Sequence, residues 1–174
     1  VVRFSDPAPT GWYNLWAGYA VEPAAPYADI ERHRAHFTVF ADHMLANVAQ
    51  GDAGLCRWVW GWFASLFQRP YDRPGTALVL RGQQGTGKTK VGEVFGGLFP
   101  RHYALVDDPR YLTGNFNAHM ASCLLLQADE GFWAGDKTAE GRLKGLVTSH
   151  DQFIEHKGVD PVSVRNLVRL LVTS

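Results

Sequence analysis

Apolar residues recur at helical spacing in two segments that follow an irregular N-terminal arm. Residues 1–28 combine Pro, Gly and aromatic side chains without a period, which predicts an irregular arm packed by its aromatics. Apolar residues spaced three and four apart then predict one helix over about residues 29–49 and a second over about residues 55–67. We expect the tryptophans of the second helix to pack in the core rather than to stack on bases.

The pattern changes after residue 75, where short apolar runs alternate with helical segments. Strands are predicted at residues 76–81, 103–106, 123–128 and 167–173, and helices at about 88–98 and 138–149. Residues 152–156 and 162–165 flank a turn and predict a hairpin. Strands that alternate with helices favour a mostly parallel sheet with helices on both faces.

The most specific feature of the sequence is a complete G-x-x-x-x-G-K-T motif between a predicted strand and a predicted helix. Its residues, which we predict to bind a triphosphate, are Gly82, Gln83, Gln84, Gly85, Thr86, Gly87, Lys88 and Thr89. The glycines allow backbone N–H groups to surround phosphate oxygens, and the helix N-terminus adds its positive dipole end. Lys88 supplies charge to the β- and γ-phosphates, and the Thr89 hydroxyl is a predicted Mg²⁺ ligand.

Two adjacent carboxylates end the third predicted strand, as in a Walker B site. Asp129 is predicted to hold Mg²⁺ together with Thr89, and Glu130 to polarise the attacking water. A Glu in this position is typical of the additional-strand, AAA+-like ATPases, which place a further strand beside Walker B. The predicted fold class is therefore α/β: a P-loop sheet at residues 74–174, preceded by a helical subdomain at 29–73 and the arm at 1–28.

Charge and cysteine usage limit the remaining classes. The 17 basic and 17 acidic residues cancel, which argues against a broad basic surface for nucleic acid and leaves a narrow basic element possible. Lys144, His156 and Lys157 on the helix and hairpin are candidate DNA contacts, and a merely solvated hairpin is the alternative. The two cysteines lack zinc or disulfide spacing, which favours a reducing cytoplasm, and no apolar run is long enough to span a membrane.

Five segments together resemble the helicase domain of phage and prophage primase-helicases, which is similar to superfamily 3 helicases. They read ADEGFWAGDK (128–137), EGRLKGL (140–146), IEHKGVD (154–160), LTGNFNAH (112–119) and YNLW (13–16). The resemblance implies an ATP-driven DNA helicase that hydrolyses ATP with Mg²⁺ in a homo-oligomeric ring, a hexamer, around single-stranded DNA. It also implies that residues 144–158 form the DNA-contacting B′ motif.

The resemblance further implies a position within a longer replication protein. The resemblance suggests a primase or polymerase domain in the same longer chain, in the cytoplasm of a bacterial host. Both ends of this chain look cut, which is typical of a fragment. The family's sensor asparagine and its arginine finger are expected beyond Ser174. We therefore expect only weak ATPase activity from these residues alone.

Three other functions fit parts of the same pattern. A DNA-packaging or AAA+ switch ATPase would share both nucleotide motifs without unwinding DNA, and its activity would not respond to single-stranded DNA. A nucleotide kinase is disfavoured by Glu130 beside Asp129 and by the lack of an Arg-rich lid. A non-catalytic regulator is disfavoured because Lys88 and Thr89 are intact.

Overall fold

The computed structural model describes residue 2 and residues 9–23, 30–108, 110–114, 117–129 and 137–174. The helices in these ranges are α1 (Ile30–His43), α2 (Ala53–Gln68), α3 (Lys88–Gly96), α4 (Arg110–Thr113) and α5 (Lys137–Thr148). The strands are β1 (Leu78–Leu80), β2 (Tyr103–Val106), β3 (Leu125–Asp129), β4 (Asp151–His156), β5 (Val159–Arg165) and β6 (Arg169–Thr173). No helix in the described ranges combines the length and apolarity needed to cross a bilayer.

Four parallel strands form the main sheet, in the order β1-β6-β3-β2. The last strand along the chain, β6, therefore lies between β1 and β3, and it pairs in parallel with both. Strands β4 and β5 form a separate antiparallel hairpin. The predicted α/β class with a parallel sheet is confirmed, and the predicted strand beside β3 is found there.

Alternating side chains of the central strands enter two different cores, as the two-residue period of a strand requires. Leu125 and Leu171 pack with apolar residues of α2 and α3 on one face of the sheet. Leu126 and Leu170 pack with α5 and the hairpin on the other face. Helices thus cover both faces of the sheet. The central strands β3 and β6 are buried on both sides, which agrees with their nearly continuous apolar sequences.

The first predicted helix is present, but its last turn is wider than an α-helix. Residues Met44–Val48 form a π-helical turn, in which the Ala49 N–H donates to the Met44 carbonyl at 3.0 Å. Met44 is fully buried, whereas Phe37 is 58% exposed. The prediction of one continuous apolar face is therefore only partly correct, because Met44 faces the core and Phe37 does not.

Helix α2 begins where its sequence offers a capping side chain. The Asp52 carboxylate accepts hydrogen bonds from the N–H groups of Gly54 and Leu55, at 2.7 and 2.9 Å. Val59, Trp62, Phe63 and Leu66 are buried along the core face. The prediction that the tryptophan stripe packs inward holds for Trp62, while Trp58 remains half-exposed.

Strand β1 is shorter and more exposed than the sequence predicts. The apolar run at residues 76–81 predicts a buried strand, but Val79 is 53% exposed. Among the described residues, β1 pairs only with β6 and forms an edge of the sheet. An edge strand leaves part of its side-chain surface in solvent.

A buried arginine attaches the end of α2 to the sheet. The Arg169 side chain is 2% exposed and donates to the carbonyls of Ser65, Arg69, Pro70 and Asp72. Burial lowers its pKa to about 10. The guanidinium satisfies carbonyls that a helix C-terminus leaves without partners, so it stabilises the junction between α2 and β6.

The N-terminal arm is attached to the sheet through a buried histidine. The His102 ring stacks on Trp16 at a centroid distance of 4.5 Å. Its Nε2 accepts the Ala17 N–H at 3.0 Å, and its Nδ1 contacts the Ser122 carbonyl oxygen at 2.7 Å. Since a carbonyl can only accept, Nδ1 carries the proton and the ring is neutral.

We expect acid to weaken the attachment of this arm. Burial lowers the pKa of His102, opposed in part by the Ser122 hydrogen bond. A histidine whose folded pKa is depressed stabilises the fold above its unfolded pKa of about 6.5, and this stability is lost as the pH falls. The melting temperature should therefore be lower at pH 5.5 than at pH 7.5.

His102→Gln is the comparison for this prediction, because glutamine keeps a donor and an acceptor but does not titrate. The difference in melting temperature between the two pH values should shrink in the variant. Tryptophan fluorescence at both pH values reports whether Trp16 moves away from the ring of residue 102 on which it stacks. An equal pH effect in wild type and variant would assign the effect to other groups, such as His119, whose pKa is also lowered by burial.

Candidate nucleotide-binding site

The glycine-rich loop, residues 82–87, connects β1 to α3 as the sequence predicts. Gly85 and Gly87 have φ angles of 80° and 81°, a backbone region that favours glycine. The Gly82 N–H donates to the Ser174 carbonyl at 3.0 Å, which fixes the start of the loop to the end of β6. Residues 82–86 are exposed, so the loop is accessible to a ligand.

The Lys88 side chain lies across this loop. Its ammonium donates to the carbonyls of Gly82 and Gln83 at 2.9 and 2.8 Å. Thr86 supports the same turn by donating to the Gln83 carbonyl at 2.8 Å. A triphosphate would offer the Lys88 ammonium charged acceptors in place of neutral carbonyls, which adds attraction between opposite charges to the hydrogen bonds.

Two hydroxyl groups converge on the carboxylate of Asp129. Thr89 in the first turn of α3 donates to Oδ2 at 2.9 Å, and Thr173 at the end of β6 donates to Oδ1 at 2.5 Å. Asp129 and Thr173 are register partners at the ends of parallel strands. Thr89 and Asp129, which the sequence predicts to share a Mg²⁺ ion, are therefore neighbours, and their binding of the ion stays a prediction. The sequence analysis assigns Thr173 no role, although it predicts that the last strand ends there.

A buried polar chain behind this pair was also missed by sequence reasoning. Gln127 is fully buried, and its Nε2 donates to the Thr89 carbonyl at 3.3 Å. The Tyr103 hydroxyl donates to the Gln127 side-chain oxygen at 2.6 Å. Burial and the nearby carboxylates of Glu93 and Asp129 raise the pKa of Tyr103, so it remains a donor. The only signal in the sequence is a polar residue within an apolar strand.

Thr89 and Asp129 have the chemistry of a magnesium site. Mg²⁺ prefers oxygen ligands and is typically held by one or two carboxylates together with waters and substrate phosphates. The Thr89 hydroxyl and the Asp129 carboxylate provide such oxygens 2.9 Å apart, at the start of the helix that follows the loop. Within the described ranges, no group of three or more His, Cys, Asp or Glu side chains that could hold a metal ion occurs.

The remaining predicted residues lie elsewhere. Glu130 lies outside the described residues. Lys144 is exposed on α5, and His156 and Lys157 are exposed at the end of the hairpin, where Lys157 and Gly158 form the turn. These three belong to the layer on the other side of the sheet, not to the loop. DNA contact by these residues stays a prediction.

Comparison with solved structures finds the same fold in the C-terminal region of NrS-1. An A-form apo structure of that region matches with a TM-score of 0.69 and 21% identity, over 97% of this chain and 36% of that chain. A second apo structure matches with a TM-score of 0.69 and 22% identity, over 97% and 36% of the two chains. At these identities the likeness establishes a shared fold.

A curated relative extends the similarity to a replication protein. The DNA primase-polymerase of Nitratiruptor phage NrS-1 is 24% identical over 135 residues, which is 76% of this chain. The chain spans only 19% of the length of that relative. The coarser part of the predicted resemblance, similarity to a phage replication protein, is confirmed.

The helicase prediction is wrong in the light of these findings. The relative is a DNA primase-polymerase and is not named as a helicase, an ATP-binding protein or a P-loop protein. The motif predicts a nucleotide site, and the site geometry alone does not support its extension to a motor. A family profile matches residues 80–174, and the chain belongs to that family, a family of unknown function designated DUF5906.

Proposed function

We propose that this chain is the part of a phage DNA primase-polymerase-type replication protein that binds a nucleoside triphosphate with Mg²⁺. The observation that carries the proposal is the Thr89–Asp129 hydrogen bond at 2.9 Å beside the loop that Lys88 crosses. Loop, ammonium and acidic strand end are the three parts that a magnesium–triphosphate complex requires. ATP is the simplest ligand with this chemistry.

Strand order supports the assignment of the loop as a P-loop. Strand β6 lies between β1 and β3, so the strand that precedes the loop and the strand that ends in Asp129 are separated by one strand. This is the arrangement that the additional-strand interpretation predicts. The division into an arm, a helical subdomain and a sheet core stays a prediction, as do the ring and the single-stranded DNA partner.

The role of the site follows from what a DNA-synthesising protein consumes. Nucleotidyl transfer uses nucleoside triphosphates with divalent metal ions. In this proposal the longer protein is such an enzyme, and the described site binds the triphosphate through Lys88 and the loop. Asp129 and Thr89 would hold Mg²⁺, which would neutralise charge on the triphosphate, while hydrogen bonds from Thr173 and Thr89 orient the Asp129 carboxylate.

Removal of the Asp129 charge tests the magnesium part of the site. Wild-type protein should bind ATP more tightly with Mg²⁺ than with EDTA. Asp129→Asn keeps the shape of the side chain and should reduce that advantage about tenfold, because the charged metal ligand is lost. Calorimetric titration of ATP with and without Mg²⁺ measures this.

Asp160→Asn is the matched control, because Asp160 is exposed on β5 in the hairpin layer. It should leave the magnesium effect unchanged. ATP affinity that is indifferent to Mg²⁺ in the wild type would contradict the proposed site.

A further inference from the structure

A cavity adjoins the glycine-rich loop on the side of the π-helical turn. It has a volume of about 340 Å³. It is lined by loop residues, among them Gly82 and Lys88, and by polar side chains of His43 and of the segment that follows it. Its apolar wall consists of Val48, Val79 and Leu80. A ligand on the loop therefore has an adjoining space with both apolar and polar surfaces.

His43 supplies this cavity with a hydrogen-bond donor that lacks an acceptor. The His43 Nδ1 lies 2.9 Å from the Asn47 Nδ2, which can only donate, so Nδ1 accepts and the proton of the neutral ring lies on Nε2. Nε2 is buried and has no hydrogen-bond partner among the residues that the structure describes. A buried donor without a partner is energetically unfavourable, so it calls for an explanation.

The same ring lies directly against the loop. A Cβ atom added to Gly87 would lie 2.7 Å from the His43 Cε1 and 3.1 Å from Nε2. Gly87 immediately precedes Lys88, which we assign to the phosphates. The unpartnered N–H therefore lies beside the glycine-rich loop, at the border of the cavity.

Two backbone irregularities occur in the segment after α1 that lines this cavity. The π-helical turn Met44–Val48 begins immediately after His43 and contains Asn47. Gln50, which also lines the cavity, has a φ of 51°, the left-handed region that residues other than glycine seldom adopt. Both features are energetically unfavourable and are common at functional sites, where the surrounding structure maintains them.

We propose that this cavity receives the base and ribose of the bound nucleoside triphosphate, and that the His43 Nε2–H donates to an acceptor on the edge of the base. The inference rests on the proposed function, because it places the phosphates on the glycine-rich loop. A nucleobase has apolar faces and a polar edge, which matches the wall formed by Val48, Val79 and Leu80 and the amides of Asn47 and Gln50.

Comparison of ATP with inorganic tripolyphosphate separates the base from the phosphates. Both are titrated with Mg²⁺ into wild type, His43→Ala and His43→Gln. We expect His43→Ala to weaken ATP binding about tenfold and to change tripolyphosphate binding less than about twofold. Glutamine has a side-chain N–H₂ at a similar reach, so His43→Gln should restore most of the ATP affinity.

The outcomes distinguish this inference from the proposed function. If wild type binds tripolyphosphate and ATP with equal affinity, the cavity does not bind the base, and the phosphate site stands. Equal losses for both ligands in His43→Ala would show that His43 acts only by packing against the loop, and would overturn its role as a donor. Failure of tripolyphosphate to bind to the wild type would reject the phosphate site itself, and this inference with it.

Discussion

Lys88→Ala should weaken binding of magnesium–ATP by about 100-fold. The Lys88 ammonium donates two hydrogen bonds to loop carbonyls, at 2.9 and 2.8 Å, and both donors are available for exchange to phosphate oxygens. A hydrogen bond to a charged group contributes about 1.5–3 kcal/mol, and two of them correspond to at least the stated factor. Tripolyphosphate binding should fall by the same factor, because the lysine contacts the phosphates and not the base.

Lys90→Ala is the matched control for this prediction. Lys90 lies on the same helix, its side chain is 74% exposed, and it pairs with Glu93 instead of the loop. Both substitutions remove one positive charge within the first turn of α3. A general electrostatic effect would lower affinity in both variants, whereas a direct phosphate contact lowers it only in Lys88→Ala.

Thermal unfolding separates binding from folding in the same variants. Lys88 is partly exposed, and the loop carbonyls that it contacts become accessible to water when it is removed. Its loss should therefore change stability by less than about 1 kcal/mol. Wild-type affinity in Lys88→Ala, or an equal loss in Lys90→Ala, would contradict the assignment of the glycine-rich loop as the phosphate site.

The sequence predicts the elements of the sheet well because each strand is a compact apolar run. Strand β2 has the predicted bounds, Tyr103–Val106. Strand β6 begins two residues later than predicted, at Arg169, because the Asn166 side chain accepts the Val168 N–H and forms a local turn. The π-helical turn could not be predicted, since its apolar spacing is also that of an α-helix.

Sequence motifs predict the site residues that lie next to one another in the chain. They do not predict the residues that only the packing of distant segments brings to the site. The motif identifies Lys88 and Thr89, and the acidic strand end identifies Asp129. Thr173 and His43 come from distant parts of the chain, and only the register of β6 and the position of α1 bring them to the loop. The motif also describes only how phosphate is bound, which explains why its extension to a helicase motor was wrong.

Helix α3 lies unusually close to the sheet, and two glycines permit this approach. A Cβ at Gly92 would lie 1.8 Å from the Gln127 side-chain oxygen, and one at Gly96 would lie 2.3 Å from the Tyr103 ring. These are the two side chains that support the Thr89 carbonyl. The close contact therefore fixes the start of α3, and Thr89 with it, relative to Asp129.

Gly92→Ala should destabilise the protein by about 3 kcal/mol, the upper end of the range for overpacking a filled core. The added methyl group also meets the Leu171 side chain at 2.8 Å, and both neighbours are fully buried, so their side chains must change conformation within a filled core. Displacement of Gln127 removes the partner of the Thr89 carbonyl, and magnesium–ATP affinity should fall as well. Denaturant unfolding and ATP titration measure the two effects.

Gly61→Ala is the control that separates crowding from helix propensity. Gly61 lies inside α2, and beyond its chain neighbours and the backbone of its own helix, none of the residues that the structure describes has an atom within 4 Å of a Cβ added there. Alanine at this position should stabilise the protein by about 0.5–1 kcal/mol, because glycine loses more backbone freedom on folding. If Gly92→Ala is as stable as Gly61→Ala, then α3 does not depend on this close approach, and the support that Gln127 gives to Thr89 is not needed to hold the site together.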